Sequence, residues 1–73
     1  MKAKQLDRYL YQLGYKEIRN NGHAIYSNGV YSIAVPNHRI IARGTLRDIF
    51  KLLYPGDPGL ANEQMRKALR GAA

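Results

Sequence analysis

The sequence predicts a small α+β domain: a helix, an antiparallel sheet of three strands, a second helix and a further helical segment at the C-terminus. Apolar residues recur at helical spacing near both ends of the chain, and between them the pattern changes to short alternating runs divided by Asn- and Gly-containing turns. A length of 73 residues leaves room for one domain, so 1–73 reads as a single unit. Its core covers about 2–54 and a C-terminal helical extension about 59–70.

The first helix is predicted from Lys2 to Leu13, where Ala3, Leu6, Leu10 and Leu13 share one stripe. Lys2, Lys4, Arg8 and Tyr11 fall largely on other faces, and Gly14 is placed to end the helix. A basic amphipathic helix this short, with one narrow apolar stripe, more often packs onto its own domain than onto a membrane.

Tyr15 to Arg19 reads as the first strand and Asn20-Asn21-Gly22 as a turn. A second strand runs from His23 to Ser27 and a third from Val30 to Val35, with Asn28-Gly29 between them. Asn-Gly favours a two-residue type I′ hairpin, because that turn needs positive φ at both central residues. Such a turn pairs Ser27 with Val30, Tyr26 with Tyr31, Ile25 with Ser32, Ala24 with Ile33 and His23 with Ala34. Opposed residues share a face. One face then carries Ala24, Tyr26, Tyr31, Ile33 and Val35 and is the expected core face, its tyrosines packing rather than stacking on bases. The other carries His23, Ile25, Ser27, Val30, Ser32 and Ala34 and is expected to be open.

Pro36 ends the third strand, and Asn37, His38 and Arg39 form a loop. Gly44 precedes a helix start with Thr45 as N-cap and Asp48 in the capping-box position. Leu46, Ile49, Phe50 and Leu53 form its apolar stripe, with Arg47 and Lys51 outside it. Pro55-Gly56-Asp57-Pro58-Gly59 stops this helix, and a last one from Leu60 to about Leu69 carries Met65, Ala68 and Leu69. Helices before and after an antiparallel sheet pack on one of its faces. The double-stranded-RNA-binding type of fold is built this way, as are other small α+β folds.

Twelve Lys and Arg against five Asp and Glu give a formal charge of +7. On so small a domain this favours a polyanionic partner (RNA, DNA, an acidic protein or a membrane surface) over a charge that serves solubility alone. The absence of Cys excludes a disulfide framework and a thiolate zinc knuckle, and fits a reducing compartment. No apolar run approaches the roughly 18 residues of a membrane helix, and the N-terminus lacks the apolar stretch of a signal peptide. A cytoplasmic protein with no membrane partner is expected.

More specific are three ordered segments: Asn20-Asn21-Gly22-His23-Ala24-Ile25-Tyr26-Ser27-Asn28-Gly29, then Val35-Pro36-Asn37-His38-Arg39, then Gly44-Thr45-Leu46-Arg47. With their order and spacing, within residues 6–54, the chain resembles the HicA family of bacterial toxin–antitoxin systems. That family shows a Gly-Ser-His or similar triplet entering the second strand, a turn with Gly, a Val-Pro-x-His segment and a Gly-Thr-Leu-Arg helix start. Asn21-Gly22-His23 stands in place of the common Gly-Ser-His, so the Ser is missing and the His kept. The tail beyond Gly56 carries no family signal. The resemblance implies a double-stranded-RNA-binding-type fold and a toxin that cleaves mRNA, neutralised by a HicB-like antitoxin. It also implies that His23 is the essential residue.

RNA carries its own nucleophile, the 2′-hydroxyl, beside each phosphate. An enzyme need only move protons and stabilise charge on phosphorus, and histidine suits that work because its ordinary pKa of about 6.5 lies near working pH. On this account His23 is the general acid or base, and no metal or cofactor is required. The plain alternative is a surface strand histidine without chemistry. His38 is the assisting candidate, as complementary acid or base or as a phosphate ligand, against a merely solvated loop residue.

Arg39, Arg43, Arg47 and Lys51 are the phosphate-binding candidates, with Arg47 expected in the first turn of its helix, where free backbone N–H groups attract phosphate. Lys4 and Arg8, with Lys2, extend that surface. Ile25, Val30 and Ala34, on the face of His23, are either scattered hydrophobes or the place where an antitoxin docks. The rival functions are a non-catalytic RNA-binding domain of the same fold, with His23 incidental, and a small DNA-binding regulator. For the latter, the helix from Thr45 to Leu53 offers mainly Arg47, Asp48 and Lys51, a thin reading surface.

Overall fold

The computed structural model describes residues 1–72. The chain runs α1 (Ala3–Gln12), β1 (Lys16–Asn20), β2 (His23–Ser27), β3 (Ser32–Pro36), α2 (Arg43–Leu53) and α3 (Pro58–Ala72). The strands form one antiparallel sheet in the order β1-β2-β3, so β2 is central. This is the α+β arrangement expected from the sequence.

Helix α1 buries Leu6 and Leu10 completely, but its stripe ends there. Leu13 is the C-cap and is 41% exposed. Gly14, at φ +92°, turns the chain so that the Tyr15 N–H donates to the Leu10 carbonyl at 2.9 Å and the Tyr15 side chain takes the buried place instead. At the other end, the Gln5 side chain accepts the Lys2 N–H at 2.9 Å, half of a capping box. The helix start is tied to the loop after β3: the Ala3 N–H donates to the Arg39 carbonyl and the Ile41 N–H to the Met1 carbonyl, each at 2.8 Å.

The β2–β3 hairpin departs from the two-residue turn. Ser27 pairs with Ser32, Tyr26 with Ile33, Ile25 with Ala34, Ala24 with Val35 and His23 with Pro36, so the loop spans 28–31 and β3 begins at Ser32 rather than Val30. A type I′ turn needs positive φ at Asn28 as well as Gly29, and only the glycine has it. Asn28 acts through its side chain instead. Its Oδ1 accepts the N–H groups of Val30 at 2.9 Å and Tyr31 at 2.7 Å, while Ser27 Oγ accepts that of Gly29 at 3.0 Å. The slip is by two residues, so every remaining side chain keeps its face. Ala24, Tyr26, Ile33 and Val35 are buried and His23, Ser32 and Ala34 exposed, as expected; Tyr31, expected in the core, lies in the loop and is 64% exposed.

Strand β1 begins at Lys16 and ends at Asn20, one residue later than expected, and all of it is exposed. Its register slips between Glu17 and Arg19, leaving Ile18 as a bulge.

Helix α2 starts two residues before the expected Thr45 cap. Ala42 is the N-cap, without a side-chain hydrogen bond, and Arg43, Gly44 and Thr45 form the first turn. Thr45 and Asp48 therefore form no capping box. Ile41 and Leu46, at the positions of a hydrophobic staple, both lie in the core and set the entry of the helix. Helix α3 also starts earlier than expected. Asp57 caps it through Oδ1, which accepts the Leu60 N–H at 3.0 Å, and Pro58 takes the first helical position. Its buried Ala61 and Met65 pack it onto α2. The core lies between the helices and one sheet face and centres on Leu6, Leu10, Leu46 and Phe50.

Candidate functional site

His23 opens β2 directly after Gly22, whose φ of +98° reverses the chain out of β1. Its position in the register puts it on the sheet face that the core does not occupy, and it is exposed. Among the described residues its side chain has no hydrogen-bond, ion-pair or ring partner. Ile25 follows on the same face, half-buried, opposite Ala34 in β3 and Arg19 in β1.

Arg19 is thus a cation on the face of His23, diagonal to it across β1 and β2, and Lys16 lies further along, opposite Ser27. Neither was singled out from the sequence. Simple alternation from Glu17, which faces Tyr26, would set Arg19 on the covered side; the bulge at Ile18 returns it to the open one.

Val30 does not join this group. It is 78% exposed in the 28–31 loop, at the far end of β2, about 13 Å of strand away from His23.

Among the described residues His38 makes no contact with His23. Its N–H donates to the Pro36 carbonyl at 2.9 Å, a tight turn at the end of β3, and it lines a cleft between α1 and the covered side of the sheet. Lys4, Arg8 and Arg39 line the same cleft, whose volume is about 800 Å³. Two further lining residues are Asn20 and Asn37, which meet amide to amide: Asn20 Nδ2 donates to Asn37 Oδ1 at 2.9 Å, and Asn37 Nδ2 to Asn20 Oδ1 at 2.7 Å. No local sequence signal announces this pair, because the two residues meet only through the register of the sheet.

Four further cations form another group. Arg43, Arg47 and Lys51 of α2 line a hollow shared with Arg66 of α3. Arg43, rather than Arg47, lies in the first turn of α2. Arg66 was not singled out from the sequence, since the position of α3 against α2 is a tertiary fact.

Between α1 and the sheet, the Tyr26 hydroxyl donates to Asp7 Oδ1 at 2.7 Å. Burial pushes the Tyr26 phenol well above its ordinary value, and the hydrogen bond to Asp7 and the charges of Asp7 and Glu17 add to the rise. Tyr9 is raised in the same direction, by burial and then by its 2.8 Å hydroxyl contact with Tyr54. Among the described residues, no cluster of three or more His, Asp or Glu side chains is placed to hold a metal ion, and no helix is long and apolar enough to cross a membrane.

The open face offers an unpartnered imidazole and nearby cations, which together can take a proton from or give one to a reacting oxygen and offset the charge of an anion. No family model matches the chain, and neither the curated proteins nor the solved structures give a significant match.

Proposed function

We propose that the protein is an endoribonuclease, the toxin of a HicA-type toxin–antitoxin pair, that cleaves mRNA with His23 as its acid–base residue. The observation that carries this reading is the placement of His23: exposed, without a side-chain partner, on the open face of the central strand with Arg19 on the adjacent one. The chain order, with α1 and α2 on the covered face, supports a double-stranded-RNA-binding-type fold.

The chemistry is a transfer within the RNA. The 2′-hydroxyl loses its proton, its oxygen attacks the adjacent phosphorus, and the 5′-oxygen leaves with a proton, giving a 2′,3′-cyclic phosphate. His23 serves one of these proton transfers and water the other, while Arg19 lies where it can offset charge on the phosphoryl oxygens. Arg39, Lys4 and Arg8 on one side of the molecule, and Arg43, Arg47 and Lys51 on another, hold the strand through its phosphates. The apolar pair Ile25 and Ala34 beside His23, flanked by Arg19, suits an acidic HicB-like antitoxin that covers the site. Val30, exposed in the 28–31 loop at the far end of β2, lies about 13 Å of strand from His23, a span that one protein partner can cover.

A second reading has its own observation. Among the described residues no side chain orients the His23 ring and no contact joins it to His38, so no histidine pair is assembled; a domain that binds RNA without cutting it needs neither. Incubating the purified chain with RNA separates the two. Fragments ending in 2′,3′-cyclic phosphate support the endoribonuclease, and a mobility shift with all the RNA intact supports the binding domain.

A further inference from the structure

The cleft between α1 and the covered side of the sheet is not where His23 stands, yet the two are adjacent. Pro36, the cross-strand partner of His23, also lines the cleft. We propose that this cleft is a nucleotide subsite for single-stranded RNA, in which Lys4, His38 and Arg39 take a phosphate and the Asn20–Asn37 amide pair meets the edge of a base. The inference rests on the RNA-binding part of the function proposed above and not on cutting by His23.

The groups gather at one end of the cleft. The start of α1 is fixed beside Arg39 by the Ala3–Arg39 hydrogen bond, which brings Lys4 to the end where β1 finishes at Asn20 and β3 at Pro36. Among the described residues none of Lys4, Arg8 or Arg39 is held in an ion pair, so their charge is free for a ligand. The paired amides are likewise only half used. Each has two N–H donors and an oxygen with two lone pairs, and the pairing engages one N–H and one lone pair of each. What remains is an adjacent donor and acceptor, the pattern with which Asn side chains read base edges.

The ligand class follows from shape and charge. A volume of about 800 Å³ is that of a small-molecule site and admits a splayed nucleotide. An A-form duplex presents a broad, shallow minor groove and cannot enter a cleft walled by a helix. Asp7 and Glu17 flank Tyr26 further along the cleft and repel a second phosphate, so the subsite takes one phosphate rather than a continuous backbone. A strand leaving the cleft past Pro36 arrives on the face of His23.

The test uses the full chain carrying His23→Ala, so that binding is read on RNA that is not cut. A fluorescent single-stranded hexaribonucleotide is titrated by anisotropy beside a blunt duplex of the same strand, adenosine monophosphate and inorganic phosphate. Single-stranded RNA is expected to bind more tightly than the duplex, and Lys4→Ala with Arg39→Ala to weaken it by about tenfold or more. Lys67→Ala with Arg70→Ala, on α3, is expected to change it by less than about twofold. In NMR spectra, adenosine monophosphate is expected to shift the side-chain amide signals of Asn20 and Asn37, and inorganic phosphate only signals near the cations. Asn37→Leu is expected to remove the difference in affinity between hexamers of different base. Preference for the duplex, equal losses from the cleft and α3 variants, or unmoved Asn20 and Asn37 amides would each overturn the subsite while leaving cleavage by His23 untouched.

Discussion

The two faces of the sheet are made by the same strands and have opposite characters. On the covered face Ala24, Tyr26, Ile33 and Val35 are buried against α1 and α2, and the Tyr26 hydroxyl reaches back to Asp7 on α1. On the open face His23, Ser32 and Ala34 are exposed, Ile25 and Ser27 half-buried, and the charges of Lys16 and Arg19 stand free. Burial on the first face supplies the stability that a chain of this size needs. The second can therefore keep groups that contribute nothing to folding, an unpartnered histidine among them.

Substitutions on the two faces should differ widely in their effect on stability. Phe50→Ala, at the centre of the covered side, should lower unfolding stability by about 3–5 kcal/mol, a large share of what a domain of this size has. Chemical denaturation checks it, and a loss below about 1 kcal/mol would mean that the core is not where the burial pattern puts it.

Tyr26→Phe should cost less, about 1 kcal/mol, because it removes one hydroxyl contact and leaves Asp7 to water. The two raised tyrosines also give stability a pH dependence. A phenol whose pKa is higher in the folded chain keeps its proton where the unfolded chain has lost it. Stability is then complete below the ordinary value of 10.0 and falls as pH rises through it. Denaturation midpoints followed upward from pH 9 should decline, and Tyr9→Phe and Tyr26→Phe should each flatten the decline. A midpoint that rises with pH would contradict the assignment.

On the open face, Ala34→Ser should change stability by less than about 0.5 kcal/mol, the smallest effect of the set. Ala34→Asp should still fold and should weaken capture of an acidic antitoxin; an unchanged complex would take this face out of the partner's contact.

The contrast between the faces was legible in the sequence for a simple reason. Alternation depends on parity alone, and the hairpin register differs from the two-residue turn by an even number of residues. The length of the loop was not legible, because Asn-Gly has two ways to turn a chain and Asn28 uses its side chain rather than a left-handed backbone. The start of α2 was hidden as well. Thr45 has the chemistry of a cap, but the staple of Ile41 on Leu46 and the tie of residues 39–41 to the N-terminus place the first turn earlier.

Of the site, the face of His23 could be read from the strand pattern, and the role proposed for it was an expectation drawn from the family resemblance that its exposed, unpartnered placement now supports. The cleft could not be read. Lys4, Asn20 and Asn37 share it only because α1 begins beside Arg39 and the strands end side by side. Arg19 was concealed by a bulge, which no local pattern around Ile18 announces.

The most direct measurement is the RNA cleavage rate of purified His23→Ala beside the unmodified chain, with circular dichroism as folding control and RNA binding measured on the same preparation. Because His23 lies on the open face, the variant should fold and bind RNA nearly as before while cleavage falls by at least ~10²-fold, the lower end for loss of a positioned acid or base. His38→Ala should cost less. A folded His23→Ala protein that cleaves RNA at the unmodified rate would contradict the account.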